Sequence, residues 1–402
     1  MKTHGHESVR LPSIDSVRLD GFLSFPPGSP GFELQRLNVL IGPNGSGKSN
    51  FIEAFELLAA TPTDLATAIR DGGGAEEWLW KGGGPNRAGI DVELNGGTPT
   101  GRPLHYGLKF GSVRQRAEVF DEFLQEIEPR PGYEEVYFYY RFQEGHPAIN
   151  VREESGNRTS RRLQRESLPP DQSVLARHRS ADLYPEVAWT ADFFDAIQTF
   201  REWTFGRYAP LRQPQRTDLL SNRLAADNRN LALVLNHIEH EDGARLNDAL
   251  RQFLPRFKRL STYVRGGVIE LFLHEDGFPS PFPATRLSDG TIRFMAILAT
   301  LLNPTPPPLV CVEEPELGLH PDAVSGLGSM LVEASERMQL IVTTHSEALV
   351  STMTNEVSSV VVCERPGSGT ELKRLDPKEL ASWLDEYRLD DLWAKGVLGA
   401  NP

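Results

Sequence analysis

Cysteine is scarce: 402 residues contain only Cys311 and Cys363. Both sit in apolar, strand-like runs and read as small buried hydrophobes, which leaves no disulfide framework and no zinc-ligand spacing. No run of 18 or more apolar residues exists, so no helical membrane span is expected. The first ten residues, with Lys2, His4, His6, Glu7 and Arg10, lack the apolar core of a signal peptide, and a cytoplasmic location is the expectation. Basic charge is in deficit, with 42 Lys and Arg against 55 Asp and Glu for a net charge of −13. That balance excludes a surface binding nucleic acid everywhere by counterion release. Heptads are not sustained beyond three or four, which excludes a long coiled coil. The 39% hydrophobic fraction, counted without the 35 glycines, is ordinary for a globular chain and excludes one dominated by disorder.

What stands out is Leu37 to Asn50, where an apolar run breaks into a glycine-rich turn ending in Lys-Ser. Gly42, four spacers (Pro43, Asn44, Gly45, Ser46) and then Gly47-Lys48-Ser49 match the phosphate-binding loop of nucleotide hydrolases. An expected strand, Leu37 to Ile41, precedes it, and an expected helix, Asn50 to Ala60, follows. The pattern suits ATP with Mg²⁺. Glycines let backbone N–H groups curl around phosphates, and the helix start offers the positive end of its dipole. Lys48 reaches the β/γ-phosphates and the Ser49 hydroxyl ligates the metal. The bland alternative is a glycine-rich turn without a ligand.

Read in order, Ser16 to Phe25 suggests an edge strand, followed by a Pro/Gly turn and the loop strand. Thr61 to Asp64 signals the start of a short helix ending near Arg70. Gly89 to Leu94, His105 to Phe110 and Val136 to Phe142 suggest an antiparallel sheet. Ser155 to Arg165 is polar and basic, with Arg158, Arg161, Arg162 and Arg165, and reads as a loop. From Ala191 to Arg265 apolar residues recur at helical spacing, among them Phe193, Phe194, Ile197, Phe200, Trp203 and Phe205, then Leu231, Val234, Ile238, Leu246, Leu250 and Phe253. The expected organisation is α/β: an N-terminal lobe over 1–150, a mostly helical insertion over 151–266, and a C-terminal β/α lobe over 267–402. Residues 152–265 hold 19 Lys and Arg against 15 Asp and Glu, net +4, leaving 23 against 40, net −17, for the rest. The middle of the chain is thus the candidate for any nucleic-acid contact.

Three further stretches carry chemistry. Leu287-Ser288-Asp289-Gly290-Thr291 opens an apolar helix, which by itself is an ordinary Ser N-cap. Leu309 to Val312 is a short apolar run ending in Glu313-Glu314. A strand buried on both faces releases such acids where ligands bind in open α/β sheets, one able to serve the Mg²⁺ shell and the other to polarise water. Gln339 to Thr344 is another buried strand, ending in His345-Ser346, and after a P-loop and an acidic pair His345 reads as a sensor of the γ-phosphate.

Together, Gly42 to Asn50, LSDGT at 287–291, VCVEEPELGLHP at 310–321 and TTHS at 343–346 resemble the Walker A, signature, Walker B with D-loop, and switch-histidine motifs of ABC-type ATPase heads. The resemblance is to the stand-alone RecF/SMC-like ATPases, AAA-family proteins often linked to phage defence. It implies a P-loop NTPase with an ABC-type head, a mixed or antiparallel N-terminal sheet, a parallel core sheet and a helical insertion forming a short lid. It also implies a head-to-head homodimer with two ATP molecules sandwiched. Lys48 and Ser49 of one copy would then face Ser288, Asp289 and Gly290 of the other. Glu313 would take the Mg²⁺-associated position, Glu314 the general base and His345 the switch. The family at large has Asp where this chain has Glu313, and GFLSF at 21–25 carries Leu23 where relatives often have a basic residue. Gln115 and Gln143 are equal candidates for the Q-loop glutamine. The residues after Cys363 hold no metal-ligand cluster and are too few for the Toprim nuclease of the OLD family, so a separate nuclease or toxin effector, with no membrane partner, is expected. The alternative is a RecF-like DNA-repair or DNA-structure-binding ATPase using the region 152–265.

Overall fold

The computed structural model describes residues 10–143, 146–152, 158–162, 169–201 and 206–399. The chain divides into two units, each gathering separated stretches. The first comprises Met1–Arg36, Gly42–Ile197 and Val362–Lys373; the second comprises Leu37–Ile41, Gln198–Val361 and Arg374–Pro402.

The first unit is built on an antiparallel sheet in the order Phe32–Glu33, Ser13–Asp20, Arg87–Asn95, Leu104–Val113, Arg116–Glu126, Phe138–Gln143, His146–Arg152 and Arg158–Arg162. Alternation drives it: Ile14, Val17 and Leu19 of one strand, and Ile90, Val92 and Leu94 of the next, are all buried. Three expectations need correction. Ser13–Asp20 is not an edge strand, because Phe32–Glu33 pairs on its outer side. Gly21 to Phe25 is not strand but a turn with positive φ at Gly21 (63°) and Leu23 (47°). Arg158–Arg162, expected as a loop, pairs with the preceding strand, because a hairpin partner supplies the backbone hydrogen bonds that its polar sequence conceals; Arg165 lies outside the described residues. Helix Pro185–Asp195 belongs to this unit, with Phe194 edge-on to Tyr106 at 5.1 Å.

The second unit holds the parallel strands in the order Gln198–Phe200, Leu309–Glu313, Gln339–Thr343 and Leu37–Ile41. These strands read as apolar runs because parallel strands are covered on both faces. The helices of this unit include Leu231–Phe253, Asp289–Leu301 and Pro321–Ser335, and Phe253 stacks on Phe294 at 4.0 Å. The helical reading of 191–265 holds for Ala191–Asp195 and Leu231–Phe253 and fails elsewhere among the described residues. Gln198–Phe200 is a strand of the parallel sheet, and Phe257–Arg265 is a strand paired with Val268–Glu275. The hairpin turn between them, Gly266-Gly267, has φ of 60° and 81°. Two consecutive left-handed glycines match the twist of a tight hairpin, so turn chemistry prevailed over apolar spacing. Segment 151–266 is therefore not mostly helical among its described residues. Trp203 and Phe205 lie outside the described residues. Among the described residues no helix is long and apolar enough to cross a membrane.

One buried carboxyl in the first unit is unusual. Glu122, on strand Arg116–Glu126, is fully buried and accepts from the Tyr106 hydroxyl at 2.9 Å, the Val174 N–H at 2.9 Å and the Ser173 hydroxyl. Burial pushes its carboxyl up to about 7, and these three donors only partly oppose that. The folded state therefore keeps a proton that the unfolded chain releases in the ordinary glutamate range. This contribution is fully present below that range and is lost as pH rises toward 7, at most ~1.4 kcal/mol per pH unit. Glu122→Gln is expected to flatten the fall in stability between about pH 5 and pH 7, read as urea unfolding midpoints at each pH. An unchanged pH profile in the variant would show that Glu122 is ionised in the fold.

Candidate functional site

Strand Leu37–Ile41 is buried throughout and lies parallel to Gln339–Thr343, with Leu340 beside Leu37 and Thr343 beside Leu40. The chain then turns sharply through Gly42 (φ 146°), Gly45 (φ 77°) and Gly47 (φ 106°). Gly42 and Gly47 are also sterically required. A Cβ on Gly42 would lie 2.2 Å from the Cys363 carbonyl oxygen, and one on Gly47 would lie 2.1 Å from Thr370 Oγ1. Pro43, Asn44, Gly45 and Ser49 are exposed, Asn50 is half-buried, and Ser46, Gly47 and Lys48 are buried. Thr370 Oγ1 donates to the Ser46 carbonyl at 2.8 Å, a support with no local sequence signal.

Helix Lys48–Ala60 starts at Gly47 with no side-chain cap, leaving its first N–H groups to face outward from the loop. Lys48 Nζ donates to the carbonyls of Gly42 (2.6 Å) and Pro43 (3.0 Å), which holds the ammonium over the loop. Ser46 Oγ is buried without a hydrogen-bond partner. A curled glycine loop, an uncapped helix start, a held ammonium and a buried orphan hydroxyl fit the polyphosphate of a nucleotide.

The acidic pair belongs to the second unit. Leu309–Glu313 is flanked by Gln339–Thr343 and Gln198–Phe200, so Glu313 emerges at the end of a buried strand, opposite Thr343. Its carboxylate meets Arg201 Nε at 3.3 Å. Glu314 has a positive φ of 44°, uncommon outside glycine, and its N–H donates to the Thr343 carbonyl at 3.0 Å. That strained turn points the Glu314 carboxylate toward His345, with Oε1 3.8 Å from Nε2. The buried Arg293 donates to the Glu314 carbonyl at 2.8 Å. Glu316 accepts from the Thr344 hydroxyl and from the His345 N–H at 3.3 Å, so the residue that orients the histidine turn is itself acidic. Burial pushes the Glu316 carboxyl up, its hydrogen bonds oppose this, and its second oxygen, Oε2, is buried with no partner.

Ser288 caps helix Asp289–Leu301, its Oγ accepting from the Thr291 N–H at 3.1 Å. The turn is pinned by Arg212, a buried guanidinium that donates to the Leu287 carbonyl at 2.6 Å, the Ala284 carbonyl at 3.1 Å and the Asp289 carboxylate. A Cβ on Gly290 would lie 2.6 Å from the Gly318 carbonyl, so the SDG turn and the PELG turn touch backbone to backbone. The second unit thus brings Glu314 to His345, Glu316 to Thr344 and His345, and Gly290 to Gly318. Sequence reasoning missed Arg201, Arg212, Arg293 and Glu316. Only Glu316 carried a signal, as the third acid of EEPE. Of the two glutamines, Gln115 stands with Arg114 at a hairpin tip (φ 66° and 51°), and Gln143 ends strand Phe138–Gln143. Among the described residues there is no group of three or more His, Cys, Asp or Glu able to hold a metal alone. A Mg²⁺ held by one hydroxyl, one carboxylate and substrate phosphates needs no such group.

This sheet architecture with its loop and strand-end acids is that of a P-loop NTPase with an ABC-type head. The family model described as "AAA domain, putative AbiEii toxin, Type IV TA system" matches residues 37–351, and the chain belongs to that family. Among solved structures the chain is similar to an Smc head bound to the C-winged helix domain of ScpA, at 13% identity and a TM-score of 0.59, covering 92% of this chain and 99% of that one. It is likewise similar to an Smc head with an extended coiled coil bound to the C-terminal domain of ScpA derived from Pyrococcus furiosus, at 13% identity and a TM-score of 0.58, covering 94% and 99%. No curated protein matches.

Gly42→Ala is expected to destabilise the protein by roughly 2–4 kcal/mol, since the methyl group meets the Cys363 carbonyl at a backbone angle that alanine avoids. Thermal unfolding of the purified variant checks this, and a melting temperature equal to wild type would contradict the loop geometry.

Proposed function

We propose that this protein binds and hydrolyses ATP with Mg²⁺, dimerises head to head on ATP, and acts as a nucleotide-gated switch for a separate effector in phage defence. The observation that carries the nucleotide reading is the Gly42–Lys48 loop, with its positive-φ glycines, uncapped helix and Lys48 Nζ on two loop carbonyls. In this reading the loop Gly42 to Asn50 wraps the phosphates, every residue but Pro43 offering a backbone N–H, and Lys48 neutralises their charge. The Ser49 hydroxyl and Glu313 hold Mg²⁺, which when bound offsets the charge that develops on the phosphates. Glu314 draws a proton from the attacking water, and its apposition to His345 at 3.8 Å supports a pairing of base and switch. Ser288, Asp289 and Gly290 present a pinned, helix-opening turn to the γ-phosphate held by a second copy.

The switch reading draws support from the family description, which includes a toxin of a toxin–antitoxin system. Smc heads of this fold are seen bound to ScpA domains, which supports a partner protein here as well. Lys48→Ala should abolish ATP binding in equilibrium titration, and retained affinity would rule out the loop as the phosphate site. Glu314→Gln should keep ATP binding, lower turnover by about 10²–10⁴ and accumulate as a dimer in light scattering with saturating ATP. A monomer under those conditions would remove the sandwich from the model.

A further inference from the structure

We propose that Arg201 is a built-in competitor of Mg²⁺ for Glu313, setting the divalent-cation concentration at which the nucleotide site loads. This rests on the nucleotide-site reading above and names a residue that no motif contains. The placement follows from strand register. Gln198–Phe200 runs parallel to Leu309–Glu313 with Gln198 beside Val310, Thr199 beside Cys311 and Phe200 beside Val312. One residue further, Arg201 stands opposite Glu313, and the sheet delivers a cation to the acid from 112 residues away in sequence.

The ion pair is partly shielded, with side-chain exposures of 24% for Arg201 and 18% for Glu313. Shielding makes the charge of Arg201 count: a cation beside a carboxylate in a site of reduced dielectric opposes entry of a second cation. The 3.3 Å separation of Nε and Oε2 is longer than the ~2.8 Å of a tight charge-assisted bond, so a divalent ion bound together with phosphates can displace the guanidinium. Arg201 is a positioning residue in this scheme and touches no reacting atom.

The test is a Mg²⁺ titration of binding of a methylanthraniloyl-ATP probe, read by fluorescence, on wild type, Arg201→Gln, Arg201→Met and Arg201→Lys, each first shown to be folded by circular dichroism. Two neutral variants keep the measurement available if one does not fold. Removing the charge should lower the half-saturating Mg²⁺ concentration about five- to tenfold, while Arg201→Lys stays within about twofold of wild type. Normal probe binding with an unchanged or raised Mg²⁺ requirement in both neutral variants overturns the role of Arg201 and leaves the nucleotide site standing. Wild-type protein that binds no probe at any Mg²⁺ concentration overturns the nucleotide reading, and this inference with it.

Discussion

Parallel pairing of buried strands is the constraint on which the second unit depends. Leu309–Glu313, Gln339–Thr343 and Leu37–Ile41 run side by side with Thr343 opposite both Glu313 and Leu40. Mostly apolar side chains fill both faces until the strands end, and there polar groups can reach solvent. The strands of this unit end at nearly the same level, so Glu313 with Glu314 and Thr344 with His345 emerge at one register. The Thr344 N–H donating to the Leu40 carbonyl at 3.1 Å continues that ladder one step beyond the strand.

Polar groups that do not meet substrate hold those ends in place. Glu316 ties down the Thr344–His345 turn, Arg293 braces the backbone of Glu314, and Arg212 braces the turn before Gly290. Each is buried or nearly so, and each places a charge where removing its partner would leave it unsatisfied. That dependence keeps the turns rigid, which a site relying on preorganised donors requires. Asn38 does the same inside the loop strand: its side chain donates to the Leu340 carbonyl at 3.1 Å and accepts from Arg374 at 2.7 Å.

The first unit follows different physics. Its sheet is antiparallel, with hairpin connections between several neighbours, and its polar interior is built around carboxylates rather than strand ends. Glu126 is fully buried, with Arg130 at 2.6 Å and the Tyr139 hydroxyl at 2.7 Å donating to its Oε1 and the Arg102 cation 2.7 Å from its Oε2. Glu122 has three neutral donors and no cation among its hydrogen-bond partners, so burial governs its protonation. Both acids stand on the one strand Arg116–Glu126, while Arg102 and Arg130 lie outside the strands, so nothing in the strand's own pattern distinguishes the acid that meets cations from the one that does not.

Local sequence determined whatever depends on neighbours along the chain: the curled glycine loop before Lys48, the Ser288 cap, the apolar runs ending in Glu313-Glu314 and in Thr344-His345. Those features follow from backbone sterics, helix-end hydrogen bonding and burial on two faces, all of which act over a few residues. Tertiary structure alone decided that Gln198–Phe200 is a strand and not part of a helix, and that Arg201 stands against Glu313 while Arg212 grips the turn before Gly290. The physical reason is the same each time. A short strand gains its hydrogen bonds, and a buried arginine its counter-charge, from residues scores of positions away, and no local pattern encodes a partner that only the folded sheet brings alongside.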